Sequence, residues 1–265
     1  MNRKTANAYT LMLTAALLAG GCDADRHAAN ESRATITRNW PATGVSEVRV
    51  TEVDGSISVE ASPTNEISLL ATAKGDLEVK KGQENEGLFE TTLTGGTLRI
   101  GRRETKRKRF DWTRLFDDDD VRIDYVLKMP ATVSLAATTV NGRIAMRGID
   151  AKTDFTTVNG SIDVETAGSH GLRASTVNGR VKAKFTQDFQ GARFATVNGG
   201  VTATLPQNAS FTVNLSQVNG DFEASFPLSI HSNPGSRRVS GEVNGGTHEL
   251  KIVTVNGDVE LARLQ

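Results

Sequence analysis

Four near-identical stretches decide the fold: TTVNGRI at 138–144, TTVNGSI at 156–162, STVNGRV at 175–181 and ATVNGGV at 195–201. Their turn glycines, and the next one in SQVNGDF at 216–222, follow one another at steps of 18 to 21 residues. A recurrent step near 20 is typical of repeat architectures, in which each unit buries its apolar face against its neighbours. Further copies are TEVDGSI at 51–57, GEVNGGT at 241–247 and VTVNGDV at 253–259, with the degenerate relatives ATAKGDL at 71–77 and TLTGGTL at 92–98.

The residues on both sides of each turn alternate between apolar and polar. One copy shows this with Leu172, Ala174 and Thr176 before the turn and Val181 and Ala183 after it. Alternation with period two indicates strands that bury one face and expose the other. The buried positions often carry small side chains, and aromatic residues are only 5% of the chain. The sequence therefore predicts an all-β domain with a narrow core.

The V-N-G turn is compatible with two architectures. Asparagine and glycine both tolerate positive φ, so the pair can close a two-residue hairpin and produce an antiparallel β meander. In a parallel β-solenoid of roughly 20-residue repeats, the same turns form a corner that stacks at about 4.8 Å per coil. The near-constant step favours the solenoid, in which Asn141, Asn159, Asn178, Asn198 and Asn219 form a ladder of stacked amides.

The full set of turn or ladder positions follows from the copies of the motif. The set comprises Asp54, Gly55, Asn141, Gly142, Asn159, Gly160, Asn178, Gly179, Asn198, Gly199, Asn219, Gly220, Asn244, Gly245, Asn256 and Gly257.

With these copies, from Val53-Asp54-Gly55 to Val255-Asn256-Gly257, the chain resembles the bacterial putative-adhesin family of β-strand-repeat domains. This is a domain of unknown function, related in style to the heads of autotransporter adhesins. The resemblance covers residues 35–265 and implies a right-handed, parallel β-helix-like solenoid, often placed behind a signal peptide or a membrane anchor. The family supplies no catalytic residues.

The first 21 residues have the layout of a secretory signal: Arg3 and Lys4, an apolar run at 11–19, and small residues before Cys22. The segment LAGGC resembles the lipobox of bacterial lipoproteins, in which the cysteine is acylated, for example with palmitate. Residues 22–34 then form a flexible tether, and residues 35–265 form the repeat domain. This layout predicts a bacterial envelope protein that contacts the membrane through its lipid anchor, and leaves open which membrane. A soluble export signal followed by a free cysteine is the alternative.

Composition excludes some functions. The chain has 31 basic and 31 acidic residues, and removal of residues 1–21 leaves a net charge of about −2. A nucleic-acid-binding surface requires a basic excess on one face, so we expect no nucleic-acid partner. Since Cys22 is the only cysteine, no disulfide can form within the chain.

The segment RRETKRKRFDWTRLFDDDD at 102–120 interrupts the repeats. One interpretation is an interaction loop in which Arg107, Lys108 and Arg109 contact acidic groups and Trp112 provides an apolar anchor. The favoured interpretation is a solvated loop whose opposite charges neutralise each other. The run Asp117–Asp120 lacks the spaced ligands and the glycine of a calcium loop, so no metal site is expected.

No catalytic group is expected either. The histidines are His27, His170, His231 and His248. Their spacing is not that of a zinc site, and the sequence has no nucleophile-elbow motif G-x-S-x-G. Asp163, Glu165 and Glu223 are the best isolated carboxylates, without the recurrent pairing that a glycosidase needs.

The sequence therefore predicts a non-enzymatic envelope lipoprotein without a cofactor, which acts as a structural, adhesive or interaction module toward an envelope glycan or a protein. One alternative is a periplasmic partner of an envelope-stress or signalling system that uses the 102–120 insert. The other is a carbohydrate-active enzyme on a β-helix.

Overall fold

The computed structural model describes residues 32–75, 89–102, 121–228 and 238–265. These residues form strands, turns and bends without a helix, so none of them provides a helical membrane span. The strands are β1 (Ser32–Pro41), β2 (Glu47–Thr51), β3 (Ile57–Ala61), β4 (Glu66–Gly75), β5 (Phe89–Thr94), β6 (Thr97–Arg102), β7 (Arg122–Met129), β8 (Ser134–Asn141), β9 (Ile144–Arg147), β10 (Thr153–Asn159), β11 (Ile162–Thr166), β12 (Leu172–Asn178), β13 (Val181–Phe185), β14 (Ala192–Asn198), β15 (Val201–Leu205), β16 (Phe211–Asn219), β17 (Phe222–Ala224), β18 (Arg238–Val243), β19 (His248–Asn256) and β20 (Val259–Arg263).

The strands form two ten-stranded sheets. Sheet 1 has the order β1-β4-β7-β3-β9-β11-β13-β15-β20-β17, and sheet 2 has the order β18-β16-β19-β14-β12-β10-β8-β2-β6-β5. Consecutive strands such as β10 and β11 lie in opposite sheets, and each pairs in parallel with the equivalent strands of neighbouring coils. The parallel pairing confirms the predicted β-solenoid and excludes the antiparallel meander.

The core lies between the two sheets, and large and small buried side chains alternate along part of sheet 2. Along sheet 2, buried Phe155 lies between Ala137 and Ala174, and Ala174 lies between Phe155 and Phe194. The coils on both sides of Phe155 therefore leave room for its ring, because a close-packed interior tolerates neither gaps nor overlaps. This alternation explains the many small residues at buried positions.

The order of the coils differs from the order of the sequence at the C-terminal end. The copy at 253–259 joins β19 to β20, and this coil lies between the β14–β15 coil and the β16–β17 coil. Strand β16 therefore pairs in parallel with β19 rather than with β14. The chain places its last coil in the interior of the stack.

Three of the predicted copies do not form corners. The segment 92–98 is the tip of the antiparallel hairpin β5–β6, with Gly95 and Gly96 at positive φ. The described part of 71–77 belongs to β4, which pairs antiparallel with both β1 and β7. The copy at 241–247 ends β18, which runs antiparallel to β16. These expectations are wrong because antiparallel strands cover the two ends of the stack. There 92–98 and 241–247 serve as ordinary turns, and the described part of 71–77 is strand.

Candidate binding face

The V-N-G corners stack in register. On the inside of the stack, the threonine before each valine links its corner to the next one. Its side chain is buried, and its hydroxyl donates a hydrogen bond to the glycine carbonyl of the adjacent coil. These bonds join Thr139 to Gly55 (3.1 Å), Thr157 to Gly142 (3.1 Å), Thr176 to Gly160 (2.9 Å), Thr196 to Gly179 (3.2 Å) and Thr254 to Gly199 (3.4 Å). Each bond crosses from one coil to the next, so the threonines fix the spacing of the corners.

The asparagine ladder is exposed on the outside of the same corners. Each amide nitrogen donates to the side-chain oxygen of the next coil in one consistent direction. The bonds are Asn141 to Asp54 (2.7 Å), Asn159 to Asn141 (2.8 Å), Asn178 to Asn159 (2.8 Å), Asn198 to Asn178 (2.9 Å), Asn256 to Asn198 (2.9 Å) and Asn219 to Asn256 (2.8 Å). Asp54 ends the ladder as an acceptor only, which suits a carboxylate.

Asn244 lies apart from this ladder. Its φ is 49°, and its amide nitrogen donates to the carbonyls of Ala209 (2.9 Å) and Gln207 (3.5 Å). It is the one described residue other than glycine with positive φ, and Gly245 follows it at φ 89°. Positive φ therefore accounts for Asn-Gly at this turn, whereas in the stacked corners the asparagine forms the ladder.

The first and last corners carry substitutions. Gln217 stands where the threonine would be in the β16–β17 coil at the end of the stack, and its amide nitrogen still donates to the Gly257 carbonyl at 2.9 Å. Glu52 stands there in the first coil, fully buried, with Oε1 accepting from the Val53 amide at 3.0 Å. Arg102 Nε lies 3.4 Å from the same oxygen. Burial raises the pKa of the Glu52 carboxyl, and the Val53 amide, the Tyr125 hydroxyl and Arg102 partly oppose this effect.

The valine of each corner points outward and is 36–49% exposed in all seven coils. Since the corners are in register, these side chains form a continuous apolar stripe beside the asparagine ladder. We call it the valine column; it consists of Val53, Val140, Val158, Val177, Val197, Val255 and Val218. Single exposed valines are common, but a stacked row of them is typical of a contact surface.

The outer face of sheet 2 carries a row of charged and polar residues farther from the corner. Apart from Arg99, each member lies six positions before its corner glycine. Along the sheet this row reads Arg99, Arg49, Ala136, Asp154, Arg173, Arg193, Lys251 and Asn214. We call Arg173, Arg193 and Lys251, which occupy three successive strands, the cation column. The sheet 2 face therefore combines a straight cationic run with an apolar stripe.

The outer face of sheet 1 has the opposite character. Its charges alternate from strand to strand: Lys128, Glu60, Arg147, Glu165 and Lys184 are consecutive register partners. Lys184 Nζ lies 3.0 Å from Glu165 Oε1. The charges in this row therefore neutralise one another across the strands.

The three isolated carboxylates do not assemble into a site. Asp163 pairs with Arg143 at 2.7 Å, and Glu165 pairs with Lys184. Glu223 lies on β17, four strands away from β11 in sheet 1, where its register partner is Glu260. His170 lies 3.8 Å from Asp150, and His248 begins β19. Among the described residues, no group of three or more histidine, cysteine or acidic side chains could hold a metal ion.

The remaining candidates lie outside the described residues. These are Cys22, His27, His231, the acidic run Asp117–Asp120 and the interaction-loop residues Arg107, Lys108, Arg109 and Trp112.

The cation column and the exposure of the valines were not anticipated from the sequence. Alignment of the copies on their glycines would have revealed the cations, because Arg173, Arg193 and Lys251 each precede their corner glycine by six residues. The sequence does not show that Lys251 lies beside Arg193, because this depends on the insertion of β19 between β14 and β16.

Comparison with known proteins adds a family assignment. A family model described as Toastrack DUF4097 matches residues 29–262. No curated protein matches the chain. Similar solved structures include a "putative cell adhesion protein" from Clostridium sporogenes ATCC 15579, with 8% identity, TM-score 0.46, and coverage of 88% of this chain and 100% of that chain. A "putative adhesin" from Bacteroides fragilis NCTC 9343 has 11% identity, TM-score 0.38, and coverage of 87% and 98%. A "putative lipid binding protein" from Parabacteroides distasonis ATCC 8503 has 13% identity, TM-score 0.29, and coverage of 87% and 97%.

Proposed function

Since the chain belongs to the family of Toastrack DUF4097 domains, whose model covers nearly all of it, we propose that it is a non-enzymatic adhesive or binding module of the bacterial cell envelope. The observation that carries this proposal is the outer face of sheet 2. There the valine column and the cation column run side by side along the solenoid. A flat face of fixed, repeated side chains suits recognition of an extended envelope component through many weak contacts.

The solenoid supports this role by holding the face rigid. The threonine hydroxyls and the asparagine amides link every corner to the next, and the backbones of the coils are hydrogen-bonded in two sheets. A surface that is already ordered loses little conformational entropy on binding.

A pair of matched valine replacements tests the binding face. Val177→Glu places a charge in the valine column, and Val126→Glu places one at a similarly exposed valine on β7 of sheet 1; the two side chains are 39% and 42% exposed. We expect Val177→Glu to reduce co-sedimentation of the purified full chain with envelope fragments of its native host, and Val126→Glu to leave it unchanged. Equal retention by both variants would contradict a binding role for sheet 2, provided both melt like the natural chain.

We propose further that acyl groups on Cys22 hold the module at a membrane, with the residues up to the first strand acting as a tether. The lipobox-like LAGGC segment supports this proposal. In the native host, intact mass spectrometry should show an acyl increment on mature chains that begin at Cys22, and the detergent phase should retain them. Cys22→Ala should abolish both. A mature chain of unmodified mass in the aqueous phase would contradict the anchor.

The proposal assigns no catalytic step to the chain. The neutralisation of Asp163 by Arg143 and of Glu165 by Lys184, together with the distance of Glu223 from both, supports this. Envelope polysaccharide incubated with the protein should therefore release no new reducing ends. Release that a single change such as Glu223→Gln abolishes would restore the enzyme alternative.

A further inference from the structure

The cation column consists of like charges that the fold places directly beside one another. Arg173 pairs in register with Arg193, and Arg193 pairs with Lys251, on the adjacent parallel strands β12, β14 and β19. Neighbouring strands lie about 4.8 Å apart, so the three side chains leave the sheet as a straight row. Like charges directly opposite each other destabilise a sheet. The row therefore destabilises the folded state.

Within the described ranges, none of the three cations forms an ion pair or a side-chain hydrogen bond. Arg173 and Arg193 are exposed, and Lys251 is half-buried. On sheet 1, by contrast, the row from Lys128 to Lys184 alternates cations and carboxylates from strand to strand. The row of three cations on sheet 2 therefore contrasts with this alternating row, although sheet 1 also holds one like-charged pair, Glu223 and Glu260.

Two neighbours limit the row to three strands. Asp154 on β10 adjoins Arg173, and the neutral Asn214 on β16 adjoins Lys251. Glu249, two residues before Lys251, accepts a hydrogen bond from Asn214 at 3.0 Å. The cationic run is therefore about 10 Å long from first to last strand. A ligand that satisfies it has two or three anionic groups in a line.

The strip between the cation column and the corner has small or apolar side chains on the same three strands. The first row across these strands consists of Ser175, Ala195 and Val253. The next row, nearer the corner, consists of Val177, Val197 and Val255 of the valine column. A ligand on this face therefore contacts cationic side chains along one edge and small or apolar side chains along the other.

We propose that the cation column binds a short stretch of an anionic polysaccharide that lies along the axis of the solenoid. This inference rests on the proposed function and names its ligand class. Carboxylates or other acidic groups of the polymer pair with Arg173, Arg193 and Lys251, and the C–H faces of its rings contact Ala195 and the valines. The hydroxyl of Ser175 supplies one hydrogen-bonding group.

Two features favour a polysaccharide over other polyanions. Strands β12, β14 and β19 are paired on both sides, so an acidic peptide finds no free edge to which it could add as a strand. Asp154 and Glu249 lie on the same face as the cations, so a broad anionic membrane surface would meet carboxylates as well. A narrow chain along the row meets mainly cations.

Two triple variants with the same loss of charge test the inference. Arg173→Gln/Arg193→Gln/Lys251→Gln removes the cation column, and the control Arg147→Gln/Lys182→Gln/Lys184→Gln removes three cations from sheet 1. The probes are a polyuronate, neutral dextran, and vesicles that contain phosphatidylglycerol, each titrated against the full chain purified in detergent by isothermal calorimetry or biolayer interferometry.

We expect the natural chain to bind the polyuronate in preference to dextran and to the vesicles, with an affinity that falls as salt rises. The sheet 2 variant should bind the polyuronate with a Kd about tenfold or more higher. Each exposed ion pair contributes up to about 1 kcal/mol, and about 1.4 kcal/mol corresponds to a factor of ten in Kd. The sheet 1 variant should lose less than about twofold on the same scale. The sheet 2 variant should melt at the same temperature as the natural chain or higher, because repulsion is removed.

Equal losses in both triple variants, equal binding of dextran, or preferential binding of the vesicles would each overturn the inference. The outcome with Val177→Glu separates this failure from failure of the proposed function. If that variant loses envelope binding while the sheet 2 triple variant keeps it, the face binds a ligand of another class. If neither loses it, both proposals fail.

Discussion

Each residue of the corner has a different structural role, as in the copy formed by Thr176, Val177, Asn178 and Gly179. The threonine hydroxyl joins two coils inside, the valine lies on the surface, and the asparagine amide joins two coils outside. The glycine leaves room for the next coil, since a Cβ at this position would overlap the carbonyl of Gly160. Close approach of two backbones is therefore the reason for the recurrent glycine.

Gly179→Ala should destabilise the protein strongly, by about 3 kcal/mol or more, because the backbone of one coil must move away from the next. Gly171→Ala is the matched control, since a Cβ there meets nothing within 4 Å. It should change the free energy of unfolding by less than about 1 kcal/mol. Urea denaturation of both variants checks this, and similar midpoints would contradict the role of close stacking.

Asn178→Ala should cost about 1 kcal/mol, because Asn178 both donates to Asn159 and accepts from Asn198 in the middle of the ladder. Asn208→Ala provides the control, since Asn208 is exposed and has no ladder partner. Thermal melting compared between the two variants measures the difference. An unchanged melting temperature for Asn178→Ala would show that the ladder contributes nothing to stability.

Glu52→Gln should make stability less dependent on pH. Burial raises the pKa of the Glu52 carboxyl in the folded state, so between the unfolded and the folded pKa only the unfolded chain releases this proton. The natural chain therefore loses stability relative to the glutamine variant as pH rises through that window. Chemical denaturation at pH 4 and at pH 7 should show a gain for Glu52→Gln only at pH 7; a loss at pH 7 would show that the Arg102 pair dominates.

At the scale of the element, the unusual feature is the position of β19 and β20. These strands pair with β14 and β15 on one side and with β16 and β17 on the other. In both sheets, the β16–β17 coil therefore pairs with the rest of the stack through the C-terminal strands β19 and β20. Folding of this end requires the last strands of the chain to enter between two earlier ones, which is a contact of long sequence separation.

A chain that ends at Thr247 tests this dependence. Without β19 and β20, β17 loses its partner in sheet 1 and β16 keeps only β18, whereas β12 and β14 keep one another. Amide hydrogen exchange should show loss of protection across 211–224 and retained protection across 172–185. Retained protection in 217–224, which β18 does not pair with, would contradict this dependence.

At the scale of the whole molecule, the solenoid has two differently built faces. Sheet 1 alternates its charges, and sheet 2 stacks cations beside an apolar stripe. Both ends are irregular: β1, β4 and the β5–β6 hairpin cover one end with antiparallel pairing, and β18 covers sheet 2 at the other. Antiparallel end strands limit the addition of further coils or of other chains at exposed edges.

Protection should fall from the centre of the stack toward its ends. Each interior coil contacts two neighbours, and β17 of three residues pairs only with β20. Stability in such a protein is a sum over coils and their interfaces, so the end coils open first. Native-state hydrogen exchange should rank β10 and β12 as most protected and β5 and β17 as least; uniform protection would indicate all-or-none opening.

The sequence by itself determined the strands, the approximate repeat and the parallel stacking, because period-two alternation and a constant step are local and repetitive signals. The family resemblance of the V-N-G copies is likewise confirmed by the match to residues 29–262. Cys22 and the 102–120 insert remain predictions.

Only the tertiary structure decided which copies are corners, where β19 lies and which residues share a column. The copy at 241–247 has the same Asn-Gly pair as the corners, yet it ends β18, which runs antiparallel to β16, and the degenerate copy at 92–98 closes an antiparallel hairpin. Arg193 and Lys251 are far apart in the chain, and their contact depends on which strands pair. Strand order is a property of the whole fold, because it is set by long-range packing that no local pattern encodes.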